Sequence, residues 1–158
     1  MPIYMQYDGI PGDVTAEGHE KWIELGSFQW GVGRGISSPT GGSMDREASA
    51  PSVSEITVTK AQDDSTIKVI DASFQGEGKT VKIDFCKTDK GKLEVYLTYT
   101  LTNTMISGYS LSSGGDRPSE SLSLNFTKVE VKMNQADATG AGADSSNVTY
   151  DISKAKVV

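Results

Sequence analysis

The sequence predicts a mainly β fold: a small closed or nearly closed β-barrel of two packed antiparallel sheets, with one flanking α-helix at about residues 65–75. Three observations carry this. Long stretches alternate polar and apolar residues with period 2, the signature of strands that lay one face on a core. Two of those alternations reverse phase, at Gly26 and near Thr127 and Lys128, where a regular strand would turn one apolar set to water. Bulges and glycine kinks are how strands turn corners, so two reversals favour a strongly coiled or closed sheet. Only one segment has helical spacing.

In chain order, Ile3, Met5 and Tyr7 alternate with Tyr4 and Gln6, and the turn chemistry of Asp8-Gly9 and Pro11-Gly12-Asp13 ends a short first strand. From Lys21 the run KWIELGSFQWGVG puts Ile23 and Leu25 on one parity and Phe28, Trp30 and Val32 on the other, across Gly26. Residues 33–51 are rich in Gly, Ser and Pro, lack periodicity and read as a long loop, functional or disordered. Gly31, Gly33 and Gly35 lack the GxGxxG spacing and no helix start follows them, so a nucleotide loop is not supported. Residues 53–60 (VSEITVTK) form a β-branched strand.

Asp63-Asp64-Ser65-Thr66 is capping chemistry ahead of Ile67, Ile70 and Phe74, spaced i, i+3, i+7, with Gly76 beyond. This predicts the helix, with Asp63 and Asp64 favoured at its N-terminus by the helix dipole. Residues 80–87 and 92–106 read as a hairpin about Thr88-Asp89-Lys90-Gly91, a four-residue turn with Gly last. In its second arm Leu93, Val95, Leu97, Tyr99, Leu101 and Met105 share one parity, and Thr98, Thr100, Thr102 and Thr104 the other. The threonine face is expected to meet water, a partner or an aqueous lumen. Residues 107–112 continue as a short strand into Gly114-Gly115-Asp116-Arg117, whose Asp116 and Arg117 read as a salt bridge or interface pair. Leu122, Leu124 and Phe126 then alternate on one parity, and Val129, Val131 and Met133 on the other. Residues 135–146 read as a small-residue loop and residues 148–156 as a last strand.

A chain of 158 residues with 36% hydrophobic content suits a single domain, 1–158, large enough for a core without disulfides or metals. No apolar run approaches the ~20 residues that span a bilayer, and the N-terminal residues show no cleavable secretory signal, so membrane insertion is not expected. The net charge of −6 argues against nucleic acid, which requires clustered Lys and Arg. The two Asn-X-Thr matches, at Asn125 and Asn147, carry no meaning without secretion. Cys86 stands alone, so no intrachain disulfide forms, and an ordinary strand cysteine is expected. The sole histidine, His19, lies in the polar, exposed-looking run TAEGHEKW and does not support a Ser-His-Asp triad. One His and one Cys supply no zinc set, and no cofactor is expected. A hydrolase using paired carboxylates stays open, because their separation is a three-dimensional fact.

Three stretches carry a resemblance: GHEKWIELGSFQWGVG, VTKAQDDST before the helix, and GGDRPSESLSLNFTKVEVKM. In these the chain is similar to the Hcp family, the hemolysin-coregulated tube proteins of bacterial type VI secretion, in order from Ile3 to about Tyr150. The resemblance implies a structural subunit, not an enzyme. Its expected partners are itself, as hexameric rings stacked into a hollow tube, and a sheath, a spike protein and secreted effectors. It also implies synthesis in the bacterial cytoplasm, then export by sheath contraction without a cleavable signal. It places the loop carrying Arg34, Ser37, Ser38, Met44, Asp45 and Arg46 against a neighbouring subunit or ring. It makes Gly114, Gly115, Asp116 and Arg117 an assembly turn, and sets Ser112 and Ser113 near a lumen where cargo binds. The alternatives are a phage-type tail tube protein, or a β-sandwich or barrel that binds a ligand such as carbohydrate through its Gly-Ser loops.

Overall fold

A computed structural model describes residues 1–37, 47–136 and 143–158. The chain runs β1 (Ile3–Tyr7), β2 (Ile23–Leu25), β3 (Ser27–Gln29), β4 (Val32–Gly33), β5 (Ile36–Ser37), β6 (Glu47–Ala48), β7 (Ser52–Val53), β8 (Ile56–Ala61), α1 (Thr66–Phe74), β9 (Lys79–Asp89), β10 (Lys92–Ser112), β11 (Ser119–Asn125), β12 (Lys128–Ala136), β13 (Ala143–Asp151) and β14 (Lys156–Val157). Two antiparallel sheets share the long β10. One has the order β2-β1-β9-β10-β12-β13-β14, the other β3-β8-β11-β10. Met5, Ile23, Ile56, Val58, Val81, Ile83, Leu101, Leu122 and Leu124 are fully buried between them.

Both phase reversals are places where the chain leaves one sheet for the other. At Gly26 it passes from β2, paired with β1, to β3, paired with β8, and the Gly26 N–H donates to Thr59 O at 2.7 Å. At Phe126 and Thr127 it passes from β11 to β12, so Leu122, Leu124 and Phe126 bury from one sheet and Val129 from the other. Ile23, Leu25, Leu122, Leu124, Phe126 and Val129 therefore all stay buried, while Val32 and Met133, at the far ends of the reversed sets, are exposed.

A third crossing lies in β10 and corrects the parity expected there. Leu101, Thr104 and Ile106 are buried while Met105 is exposed, because the pairing register shifts between Leu101 and Thr104. Asn103 takes the left-handed conformation (φ 54°) at this bulge, a role Asn fills more readily than most residues. Gly78 makes it possible: a Cβ there would sit 1.7 Å from Asn103 Oδ1. Past the bulge β10 continues to Ser112 as the same strand, not as a separate one. The hairpin turn before it is tighter than expected, with only Lys90 and Gly91, both left-handed, between the paired Asp89 and Lys92.

Residues 33–51 are not an irregular loop throughout. Val32 pairs with Val53 and Ile36 with Ala48, making a narrow two-stranded arm. Ser38, Met44, Asp45 and Arg46 lie outside the described residues. Residues 135–146 likewise are not simply a loop, since β12 and β13 pair as far as Ala136 with Ala143.

The helix forms where its spacing predicts, in the opposite orientation to an ordinary amphipathic helix. Its buried residues are Thr66 and Val69, while Ile67 and Phe74 face solvent. Asp63 does more than complement a dipole: its carboxylate accepts the Ser65 N–H at 2.9 Å and holds Lys60 Nζ at 2.9 Å. Gly76 does not supply a left-handed cap; the helix ends at Gln75 in extended backbone, with its N–H on Asp71 O at 3.2 Å.

Candidate assembly surface

The turn after β10 is held by its own chain. Ser112 opposes Ser119, Ser113 Oγ donates to Asp116 O at 3.0 Å, and Gly115 N–H donates to Ser113 Oγ at 3.3 Å. Gly115 sits at φ 109°, where a side chain would be strained. Asp116 and Arg117 do not pair with each other, contrary to the salt-bridge expectation. Arg117 Nε instead donates to Gln62 O at 2.6 Å, while Gln62 N–H donates to Pro118 O at 3.0 Å, so the turn is fastened to the end of β8. There Arg117 borders a cavity of about 310 Å³ with Asp13, Glu24 and Asp63. Residues 112–117 are all exposed.

The arm is fastened internally as well. Arg34 Nε donates to Ser49 O at 2.8 Å, and Ser49 exchanges hydrogen bonds with both backbone groups of Gly35. Val32 and Ile36 point their apolar side chains to solvent, and Ser37 is exposed beside them. Arm and turn are not brought together. The arm precedes Ile56 and the turn meets Gln62, so they lie at opposite ends of β8, roughly 20 Å apart at ~3.3 Å per residue.

A buried polar cluster escaped the sequence reading. Lys60 and Glu120 are opposite each other on β8 and β11, and both are fully buried. Lys60 Nζ bonds Glu120 Oε2 and also Asp63. Thr66 Oγ1 donates to Glu120 Oε2 at 3.0 Å, and Tyr109 OH donates to Oε1 at 2.6 Å. Burial, then the bond to Glu120, push the Tyr109 hydroxyl well above its ordinary value, so it stays a donor. The cluster ties the first turn of α1 to the second sheet. A signal for it does exist in the sequence: Lys60 shares the inward parity of Ile56 and Val58, and Glu120 that of Leu122 and Leu124.

His19 is buried, not exposed as its polar neighbours suggest. Its Nε2 lies 2.8 Å from Asp84 Oδ2, and its ring packs edge-on against Trp22 with centroids 4.5 Å apart. The hydroxyl on this pair is Thr98 Oγ1, which donates to Asp84 Oδ1 at 2.9 Å and so faces the carboxylate, not the imidazole. That order lacks the nucleophile-on-base contact of acyl transfer. Cys86 is a buried strand cysteine; burial, then the charge of Asp84, push its thiol up to about 11, away from the reactive thiolate. Among the described residues, no three His, Cys, Asp or Glu side chains group as a metal set, and no helix is long and apolar enough to cross a membrane.

Comparisons with known proteins agree with this architecture. A family model described as "Type VI secretion system effector, Hcp" matches residues 4–133. A solved structure described as a type six secretion system protein is 26% identical, covers 99% of both chains and superposes with a TM-score of 0.89. Hcp1 from Salmonella typhimurium is 19% identical over 99% of this chain and 98% of its own, with a TM-score of 0.76. A type VI secretion system effector from Yersinia pestis is 22% identical over 94% and 98%, with a TM-score of 0.72. Among curated proteins no sequence matches.

Proposed function

The chain belongs to the Hcp family of type VI secretion effectors, and on that premise we propose that it is a structural tube subunit. Six copies form a ring, rings stack into a hollow tube, and sheath contraction drives the tube and its spike protein out of the bacterium. Effectors travel in the lumen, and the chain itself does no catalysis. The family match over residues 4–133 is the observation that carries this reading.

The placement of the surface elements supports it. The arm with Arg34 and Ser37 and the turn from Gly114 to Arg117 project from opposite ends of β8, as two stacking faces of one ring would. Ser112 and Ser113, exposed at the turn, are then candidates for cargo contact. Electron microscopy of negatively stained protein, with size-exclusion chromatography, tests the reading. Annular hexamers are expected; a monomer at every concentration overturns it.

Charge adds a second test. A ring carries six times the chain's −6, so stacking works against a repulsion that salt screens beyond roughly 8 Å at physiological strength. Added salt is expected to lengthen tubes, and stacking that is indifferent to salt or weakened by it contradicts this.

A further inference from the structure

Two apolar surfaces lack a partner within the chain. The first is the outer stripe of α1. Ile67 is 74% and Phe74 85% exposed, and Ile70 lies between them on the same helical face. Ile70 and Phe74 also wall a groove of about 310 Å³ against Ile106 and Tyr109 of β10. An amphipathic helix ordinarily turns such a stripe to its own core. Here α1 is attached through Thr66, Val69 and the Lys60–Glu120 cluster, which leaves Ile67 and Phe74 in solvent and Ile70 half-buried.

The second is the outlying part of the core-facing side of the first sheet. Directly opposite residues of an antiparallel pair share a face, so Val129, Val131 and Met133 lie on one side with Tyr150, Val148 and Ser146, and Val157 joins Tyr150. That side is core at Val129, yet Met133 is 42%, Val148 53% and Val157 66% exposed. The buried face simply runs out into water, and exposed apolar patches of this kind mark interaction surfaces.

The two surfaces fit each other in size. A nine-residue helix is ~14 Å long and ~10 Å wide. Three strands spaced ~4.8 Å apart present a band of the same width.

We propose that the Ile67–Ile70–Phe74 stripe of one copy seats on the β12–β13–β14 face of the next copy. The contact joins two different surfaces, so it is head-to-tail. Each added subunit leaves one surface of each kind open until a ring closes. The proposal rests on the ring reading above and names the contact that builds it.

Full-length Phe74→Asp and Val148→Asp, each altering one surface at an exposed position, test it by sedimentation velocity with circular dichroism as the check on folding. Wild-type rings, with each variant alone folded and monomeric, are expected. A 1:1 mixture is expected to stop at dimers, because one variant keeps a sound sheet face, the other keeps a sound helix, and the outer surfaces of the pair are both spoiled. Rings formed by either variant, or a mixture that stays monomeric, overturn the proposal while leaving the ring reading intact. A wild type that is monomeric throughout defeats the ring reading first. Should an Asp variant misfold, Phe74→Ala and Val148→Thr are expected to raise the concentration for half-assembly about tenfold, and an unchanged value overturns the contact.

Discussion

The helix and the strands beneath it invert the usual distribution of polarity. On β8 and β11 two charged side chains, Lys60 and Glu120, occupy fully buried inward positions, while on α1 the large apolar side chains Ile67 and Phe74 stand in water. The inversion makes one element serve two ends. Polar bonds from Thr66 and Asp63, with the buried Val69, hold the helix on its own sheet, and Ile67 and Phe74 take no part in that attachment. In the proposed contact, stability of the monomer and capacity to assemble fall on different faces of the same nine residues.

The largest effect expected is on the buried side. Glu120→Ala strands Lys60 as a buried, partly unpaired charge, and removing one partner of such a pair costs ~3–5 kcal/mol. Urea denaturation measures it, and a loss below ~1 kcal/mol would mean that the cluster does not anchor the helix. At the turn fastened to β8, Gly115→Ala puts a Cβ at φ 109° and is expected to cost ~1–2 kcal/mol by the same measurement. A neutral result would place the turn in another conformation.

Cys86 reports on burial without a change of sequence. Its thiol is raised to about 11, so in the folded chain it stays protonated at pH 8 and resists alkylation until the protein unfolds. The thiol's contribution is intact below the unfolded value of ~8.5 and is lost as pH rises toward about 11. Rapid alkylation of native protein at pH 8, read by intact mass, would contradict that burial.

Much of the fold is legible as period-2 parity, and the reasons for each failure are local. The reversals at Gly26 and Thr127 stand out because apolar residues fill both parities on either side. The crossing at Asn103 does not, since Met105 continues the parity of Leu101 while the bulge has already moved the core to Thr104 and Ile106. The position of the helix follows from spacing, but its facing does not, because the anchoring bonds come from Lys60 and Glu120, 60 residues apart in sequence. Burial of His19 is likewise set by Asp84, 65 residues away, and not by its polar neighbours. Of the expected assembly residues, Arg34, Ser37, the two serines and the turn occupy exposed positions. Arg117 points back to Gln62, a backbone partner that pairing rules for charged residues do not anticipate.

The most direct test of the division between folding and assembly is the unfolding free energy of Phe74→Asp, measured by urea denaturation at dilution where variant and wild type are both monomeric. With 85% of the side chain already in water, a change within ~0.5 kcal/mol is expected, alongside loss of rings at higher concentration. A drop of several kcal/mol with rings intact would contradict it, because the stripe would then belong to the core of its own chain.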